Sequence, residues 1–237
     1  MCPNVTTTNQ PTADLEASLE ILEDGAAKCK TVSDYIRLVQ TYRGKGPYER
    51  IAAAQINAEF AALMKRLQQE NIRYACEIGT MQGGTLYLLT RVALEDAVLV
   101  SIDLPGGPFG GGYGPERVPF FERFARERQK VFCIRKDSKR IETQLALEKI
   151  LKDQYLDYLF IDGDHSYEGV KSDYENYRRY VRKGGLIAFH DILGAHPKRQ
   201  ELGVKILWEE LKAKTPRRAE YISDNKRGYA GIGIIRV

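Results

Sequence analysis

Two short runs concentrate the residues able to do chemistry, Asp162-Gly163-Asp164-His165 and His190-Asp191, and each follows an apolar stretch. The three histidines of the chain, His165, His190 and His196, all fall in or just after these runs. Carboxylates converging from neighbouring strand ends beside an imidazole suit a hard divalent cation, because magnesium and manganese take oxygen donors and keep waters or substrate oxygens. The expected ligands are Asp162, His190 and Asp191. An imidazole, with an ordinary pKa of about 6.5, is also the side chain best suited to take a proton near neutrality. Plainer readings stay open: His165 caps a helix starting near Ser166, His190 is a hydrogen-bonded strand-end residue, and His196, before Pro197, belongs to a loop.

A second group lies upstream, in Glu77-Ile78-Gly79-Thr80-Met81-Gln82-Gly83-Gly84-Thr85. Glycines there let backbone approach a ligand and turn sharply into a helix. A dinucleotide loop would read GxGxxG and set a pyrophosphate on the helix terminus, whereas this one reads ExGxxxGG and puts a carboxylate where an anion would be repelled. A cationic or zwitterionic ligand fits better. Asp103 stands 24 positions after Gly79, close to the spacing at which an acidic side chain accepts hydrogen bonds from ribose hydroxyls. Asp137-Ser138 can accept from an adenine amine. Each acid alone reads equally well as a turn or cap residue; three of them after successive strands, beside a glycine loop, argue together for a binding site.

Strands must present these groups. Ile72 to Ile78, Val98 to Leu104, Val131 to Ile134, Leu156 to Ile161 and Leu186 to Phe189 read as buried strands, and helical stretches between them, such as the stripe Val170, Tyr174, Tyr177 and Val181, imply a parallel sheet covered on both faces. A helix through Val204, Leu207, Trp208 and Leu211 follows, then closing strands Arg218 to Ile222 and Tyr229 to Val237 around the turn Ser223-Asp224-Asn225. Before the sheet, residues 1 to about 13 read as a flexible tail. Helices follow through Leu15, Leu19 and Leu22, over Ser33 to Gln40, and, after GKGPYER, through Ile56, Phe60, Leu63, Met64 and Leu67 to near Asn71. The expected division is a tail and N-terminal helical cap over 1–70, folded over the crevice as an acceptor pocket, and the sheet domain over 71–237.

With Glu77 to Gly84 and Asp103 in these places, the sequence resembles the class I S-adenosylmethionine-dependent methyltransferases from about Glu70 to Val237. The run FIDGDHSYEGVKSDYENYRRYVRKGGLIAFHDI resembles the small-molecule O-methyltransferase branch that includes macrolide-sugar methyltransferases and a cephalosporin-biosynthesis protein. The resemblance implies an α/β, Rossmann-like, doubly wound sheet of seven strands, mostly parallel with the last antiparallel, carrying an N-terminal helical cap. It implies methyl transfer from S-adenosylmethionine (SAM) to a hydroxyl of a small natural product or sugar, with a divalent metal, magnesium foremost. Cofactor contacts are implied at Glu77, Gly79, Thr80, Gly83, Gly84, Asp103, Asp137, Ser138 and Asp162. In catechol-type relatives the base lies three positions after the first metal-binding aspartate, and macrolide-sugar relatives carry histidine there; this implies His165. Another antibiotic-sugar branch uses the second aspartate of DGD, which makes Asp164 the reserve. His190 departs from the pattern, since relatives carry Asp or Glu there, and an imidazole weakens magnesium preference and tolerates softer metals. The alternatives are a metal-independent methyltransferase and a nicotinamide-dependent oxidoreductase, against which the missing GxGxxG speaks.

Composition narrows the remaining classes. The 237 residues are 43% hydrophobic and 29% charged, which excludes disorder or a collagen-like repeat as the main state. Lys plus Arg number 36 against 32 for Asp plus Glu, interspersed, so no nucleic-acid partner is expected. Apolar runs fall well short of the roughly 20 residues of a membrane helix, and MCPNVTTTNQPTAD lacks a signal-peptide plan, so a cytoplasmic protein without a membrane partner is expected. The scattered Cys2, Cys29, Cys76 and Cys133 read as reduced thiols, and Asn4-Val5-Thr6 as a coincidental glycosylation triplet. The glycine-rich insert Pro105 to Phe121 reads as a mobile lid or acceptor wall using Phe109 and Tyr113, or as a surface loop or homo-oligomer contact.

Overall fold

The apolar runs pair into one sheet. The computed structural model describes residues 10–106, 111–194, 203–224, 226 and 228–237. Residues 1–9, with Cys2 and Asn4-Val5-Thr6, and Phe109, His196 and Asn225 lie outside the described residues. The strands are β1 (Tyr74–Ile78), β2 (Val98–Asp103), β3 (Lys130–Arg135), β4 (Leu156–Ile161), β5 (Val181–His190), β6 (Arg218–Tyr221) and β7 (Ile232–Arg236). Their order is β3-β2-β1-β4-β5-β7-β6. The pairs among β1 to β5 are parallel, and β7 runs antiparallel to both β5 and β6, as expected for the seven-stranded sheet.

The winding direction reverses between β1 and β4, and such a switch point opens a crevice beyond the carboxyl ends of the strands. Register decides which residues face it. Ile78 pairs with Ile102 and with Ile161, and Ile161 pairs with Phe189. The next residue along each strand or loop is therefore Asp103, Gly79, Asp162 and His190, side by side.

Helices cover both faces because side chains alternate along each strand. Tyr158, Phe160 and Ala188 join a core with α1 (Gln10–Ala27), α2 (Val32–Thr41), α3 (Asn57–Leu67), α4 (Gly84–Val92) and α5 (Val118–Glu122). Leu159, Ile161 and Ile187 join the other, with α6 (Ile141–Leu151), α7 (Tyr167–Tyr177) and α8 (Val204–Lys214). α2 starts at a reciprocal cap: Thr31 Oγ1 accepts from the Asp34 N–H at 3.2 Å, and Asp34 Oδ2 accepts from the Thr31 N–H at 2.9 Å.

Three differences from the sequence reading have physical causes. α1 starts at Gln10, within the stretch expected to be tail. β5 starts at Val181, before the apolar Leu186, because exposed Arg182 and Lys183 leave no hydrophobic signal there. Residues of α1 and α2 do not cover the crevice; Leu19, Leu22, Val32, Ile36 and Val39 bury in the same core as one sheet face. Among the described residues before β1, those that line the crevice belong to the connector before α3, Ala52–Ile56.

α3 also fastens the far edge of the sheet. Glu59, 2% exposed, accepts from the Ser223 N–H and Oγ, both at 2.9 Å, and from the Gly231 N–H at 3.0 Å, tying both ends of the β6–β7 connection. Hydrogen bonds to a charged group contribute about 1.5–3 kcal/mol each, and stranded partners cost more. Glu59→Ala is therefore expected to lower unfolding free energy by about 3 kcal/mol, measured by urea titration; an unchanged midpoint would contradict this role. Cys29, Cys76 and Cys133 are free thiols. Among the described residues no helix is long and apolar enough to cross a membrane.

Candidate active site

A cavity of about 600 Å³ lies along the carboxyl ends of β1, β2, β4 and β5, within the size range of small-ligand sites, roughly 300–1,000 Å³. Gly79 lines it with φ +91°, and a Cβ there would run into the Asp162 carbonyl oxygen, so only glycine lets the ends of β1 and β4 meet. Asp103 holds the loop beyond. Its Oδ2 accepts from the Thr80 and Met81 N–H groups at 2.9 and 2.6 Å. Burial raises the Asp103 pKa against these bonds. Thr80 Oγ1 lies 2.6 Å from Ser101 Oγ, which lies 2.9 Å from the Tyr113 hydroxyl. Tyr113 packs edge-on against Phe121 at 4.8 Å. It anchors the glycine-rich insert in the core, while Gly111 and Gly112 reach the cavity wall.

Glu77, Gly83 and Gly84 are placed behind that wall, none of them among its lining residues. Glu77 is wholly buried beside Thr80 and Thr85, with neither carboxylate oxygen in hydrogen-bond geometry; burial pushes its pKa up to about 8. A Cβ on Gly83 would meet the Phe121 ring, and one on Gly84 would meet Ile51 and Ala53 backbone. The two glycines thus make room for protein rather than ligand.

The connector Ala52–Ile56 crosses one side of the cavity. Gln40 Nε2 donates to the Ala53 carbonyl at 2.9 Å, and Arg117 donates to the Pro47 and Arg50 carbonyls, both at 2.6 Å. From this connector Gln55 donates to Asp162 Oδ2, and its Oε1 is buried without a partner. Sequence reasoning missed Gln55, a single amide in an alanine-rich stretch with no spacing signal.

At the opposite end Lys136, Asp137, Ser138 and Lys139 line the wall. Asp137 behaves partly as a turn residue, its Oδ1 accepting from the Lys139 N–H at 2.9 Å. Asp164 also lines the cavity but is occupied: Lys139 Nζ contacts its Oδ2 at 2.6 Å and the Ser166 N–H donates to its Oδ1 at 2.9 Å. Burial would raise its pKa, but these partners hold it below the ordinary value, which makes it a poor proton acceptor.

Asp162 and Asp191 face two imidazoles. His165 Nε2 lies 3.4 Å from Asp162 Oδ1 and 3.2 Å from Asp191 Oδ2. His190 Nδ1 lies 3.1 Å from Asp162 Oδ1 and 3.5 Å from Asp191 Oδ1, and its Nε2 is buried without a partner. Burial alone would lower both histidine pKa values, but the carboxylates outweigh it and hold His165 at about 10 and His190 at about 9. Burial alone would raise Asp162, yet the two imidazoles hold it well below the carboxylate range. Asp191 adopts φ +62°, a left-handed conformation that aspartate tolerates better than most residues. One ligand atom each from Asp162, His165 and Asp191 lies within 4.8 Å of the other two. His165 therefore stands as close to a cation position as to a base position.

The sheet that carries this constellation is similar to those of known proteins. Residues 76–192 match the model of a family described as a methyltransferase domain. The matched span runs from β1 to just beyond β5 and so contains the glycine loop and the acid–imidazole cluster. An uncharacterized protein of Acanthamoeba polyphaga mimivirus is 29% identical over 169 residues, covering 68% of this chain and 71% of the relative. Among solved structures, an O-methyltransferase from Bacillus cereus in complex with S-adenosylhomocysteine (SAH) superposes with TM-score 0.57 at 16% identity, covering 95% of this chain and 97% of that one. The O-methyltransferase TomG from Streptomyces achromogenes, involved in tomaymycin synthesis and solved with SAM, superposes with TM-score 0.56 at 13% identity, covering 94% and 98%. The chain thus has the fold of these structures.

Proposed function

We propose that this chain transfers a methyl group from SAM to a hydroxyl of a small molecule, with a divalent cation and a histidine assisting. The reading rests on one arrangement: a single cavity joins a glycine loop and its Asp103 clasp to a cluster of two carboxylates and two imidazoles. SAM fits the first part. Ser138 suits the adenine end and Asp103 the ribose, while Asp103 and Asp162 put carboxylates at the cavity wall, which favour a sulfonium over a diphosphate.

SAM supplies an electrophilic methyl group, which an acceptor oxygen takes in line. The protein must align that oxygen and remove its proton; alignment alone supplies about 7–11 kcal/mol in well-oriented reactions. Beside the two carboxylates alone His165 is held protonated; with a divalent cation taking up the charge of Asp162 and Asp191, His165 would be neutral and its Nε2 able to accept the proton. The connector Ala52–Ile56 limits water on the other side.

The cluster also suits a cation. Two carboxylates opposite two imidazoles reach neutrality when both imidazoles are protonated, and one divalent cation carries the same charge. Asp162 and Asp191, with His190 as the nitrogen donor, would hold it; such a cation lowers the pKa of a bound hydroxyl and orients vicinal oxygens. A second reading, in which His165 is the nitrogen donor, is favoured by the 4.8 Å convergence. Calorimetric titration with Mn²⁺ separates the two. His190→Ala is expected to weaken Mn²⁺ binding at least about tenfold and His165→Ala much less; the reverse order assigns His165 to the cation. Methyl transfer itself is tested by incubating the protein with SAM and catechol, flavonoid and sugar panels and watching for one added methylene in the mass spectrum. No SAH formed with any hydroxylated acceptor would contradict the proposal.

A further inference from the structure

α7 carries one residue out of character with the face it buries. Beside Val170 and Tyr177 stands Asp173, 0% exposed. A carboxylate taken out of water costs several kcal/mol unless hydrogen bonds or charges compensate, and Asp173 has little compensation. Its Oδ1 accepts from Ser138 Oγ at 2.6 Å, and its Oδ2 is buried without a partner. One turn further, the Tyr177 hydroxyl donates to the Ser138 carbonyl at 2.8 Å. Two α7 side chains at i and i+4 therefore grip the same residue of the turn after β3. Ser138 lines the cavity; Asp173 does not.

The consequence follows from what a hydroxyl owns: one proton and two lone pairs. With its proton committed to Asp173, Ser138 Oγ offers only lone pairs to a ligand. We propose that Asp173 is a positioning residue that makes Ser138 an obligate hydrogen-bond acceptor, so that this end of the cavity selects a purine bearing an exocyclic amine over one bearing an oxo group. The inference rests on the SAM reading above.

The same geometry has a pH signature. Burial pushes the Asp173 pKa to about 7, against the Ser138 hydrogen bond and Lys139, which lower it, and with Asp164 and Asp137, which raise it. Cys76 on β1 and Tyr177 on α7 complete the groups around it. The carboxylate accepts the Ser138 proton above that pH. Below it, the protonated acid donates to Ser138, whose own proton turns towards the ligand, and selection for an amine fades.

Calorimetry with SAH and its deaminated analogue S-inosylhomocysteine, from pH 6 to 8.5, tests this. At pH 8 the wild type is expected to prefer SAH about tenfold or more, the worth of one well-made hydrogen bond. That preference should shrink several-fold by pH 6. Ser138→Ala should reduce it to within about twofold at every pH. Asp173→Asn, which cannot titrate, should make the preference independent of pH, an effect that loss of packing would not produce. A wild type that binds SAH without preference, Ser138→Ala protein that keeps it, or Asp173→Asn protein that follows the wild-type pH curve would each overturn the proposal. A wild type that does not bind SAH at all would instead remove the cofactor reading beneath it.

Discussion

His165→Ala protein is expected to bind SAH within about twofold of wild type while methyl transfer falls by roughly 10²–10⁴, the usual contribution of a positioned acid–base group. The reason is location. His165 Nε2 touches the two carboxylates of the cluster, and its side chain, 15% exposed, is the more accessible of the two imidazoles. On the proposed reading the purine and ribose lie against Ser138 and Asp103, which are fixed by other partners, Ser138 by Asp173 and Asp103 by the Thr80 and Met81 N–H groups. Turnover retained within about threefold would remove His165 from proton transfer. Parallel loss of SAH affinity would show that it shapes the cavity instead.

Gly79→Ala is expected to have the largest effect on binding. Alanine at φ +91° would be strained by about 1–2 kcal/mol, and its Cβ would also run into the Asp162 carbonyl oxygen. Relief requires separating the ends of β1 and β4, which carry the loop and the cluster. SAH affinity should fall more than about tenfold. Gly106→Ala is the control, since Gly106 also has positive φ, +71°, but a Cβ there meets nothing within 4 Å. If both variants weaken SAH binding equally, backbone strain rather than the β1–β4 contact accounts for the loss.

Much of this was legible because strand signals are local. Leu156 to Ile161 is apolar but for Asp157 and has buried residues at both ends, so its boundaries follow from hydrophobicity. The pairing that sets Gly79 between Asp103 and Asp162 follows from parallel register once those runs are placed. The residues that escaped notice act through contacts far apart in sequence. Gln55 meets Asp162 across 107 positions, Glu59 meets Ser223 across 164, and Asp173 meets Ser138 across 35. None carries a local pattern. Glu77 was legible in type but not in place, because alternation along β1 cannot tell a carboxylate at the wall from one behind it. The N-terminal helices were legible as helices. Their packing on a sheet face rather than across the crevice depended on partners such as Phe120 and Tyr158, which no helical periodicity names.

Crystals soaked with SAH and NAD together would decide what the cavity beyond β1 and β4 is built to hold. The expected density is SAH alone, its purine against Ser138, its ribose against Asp103 and its sulfur turned towards Asp162 and His165. Density for a dinucleotide in that cavity, or ordered solvent there at saturating SAH, would contradict the assignment of this chain's chemistry.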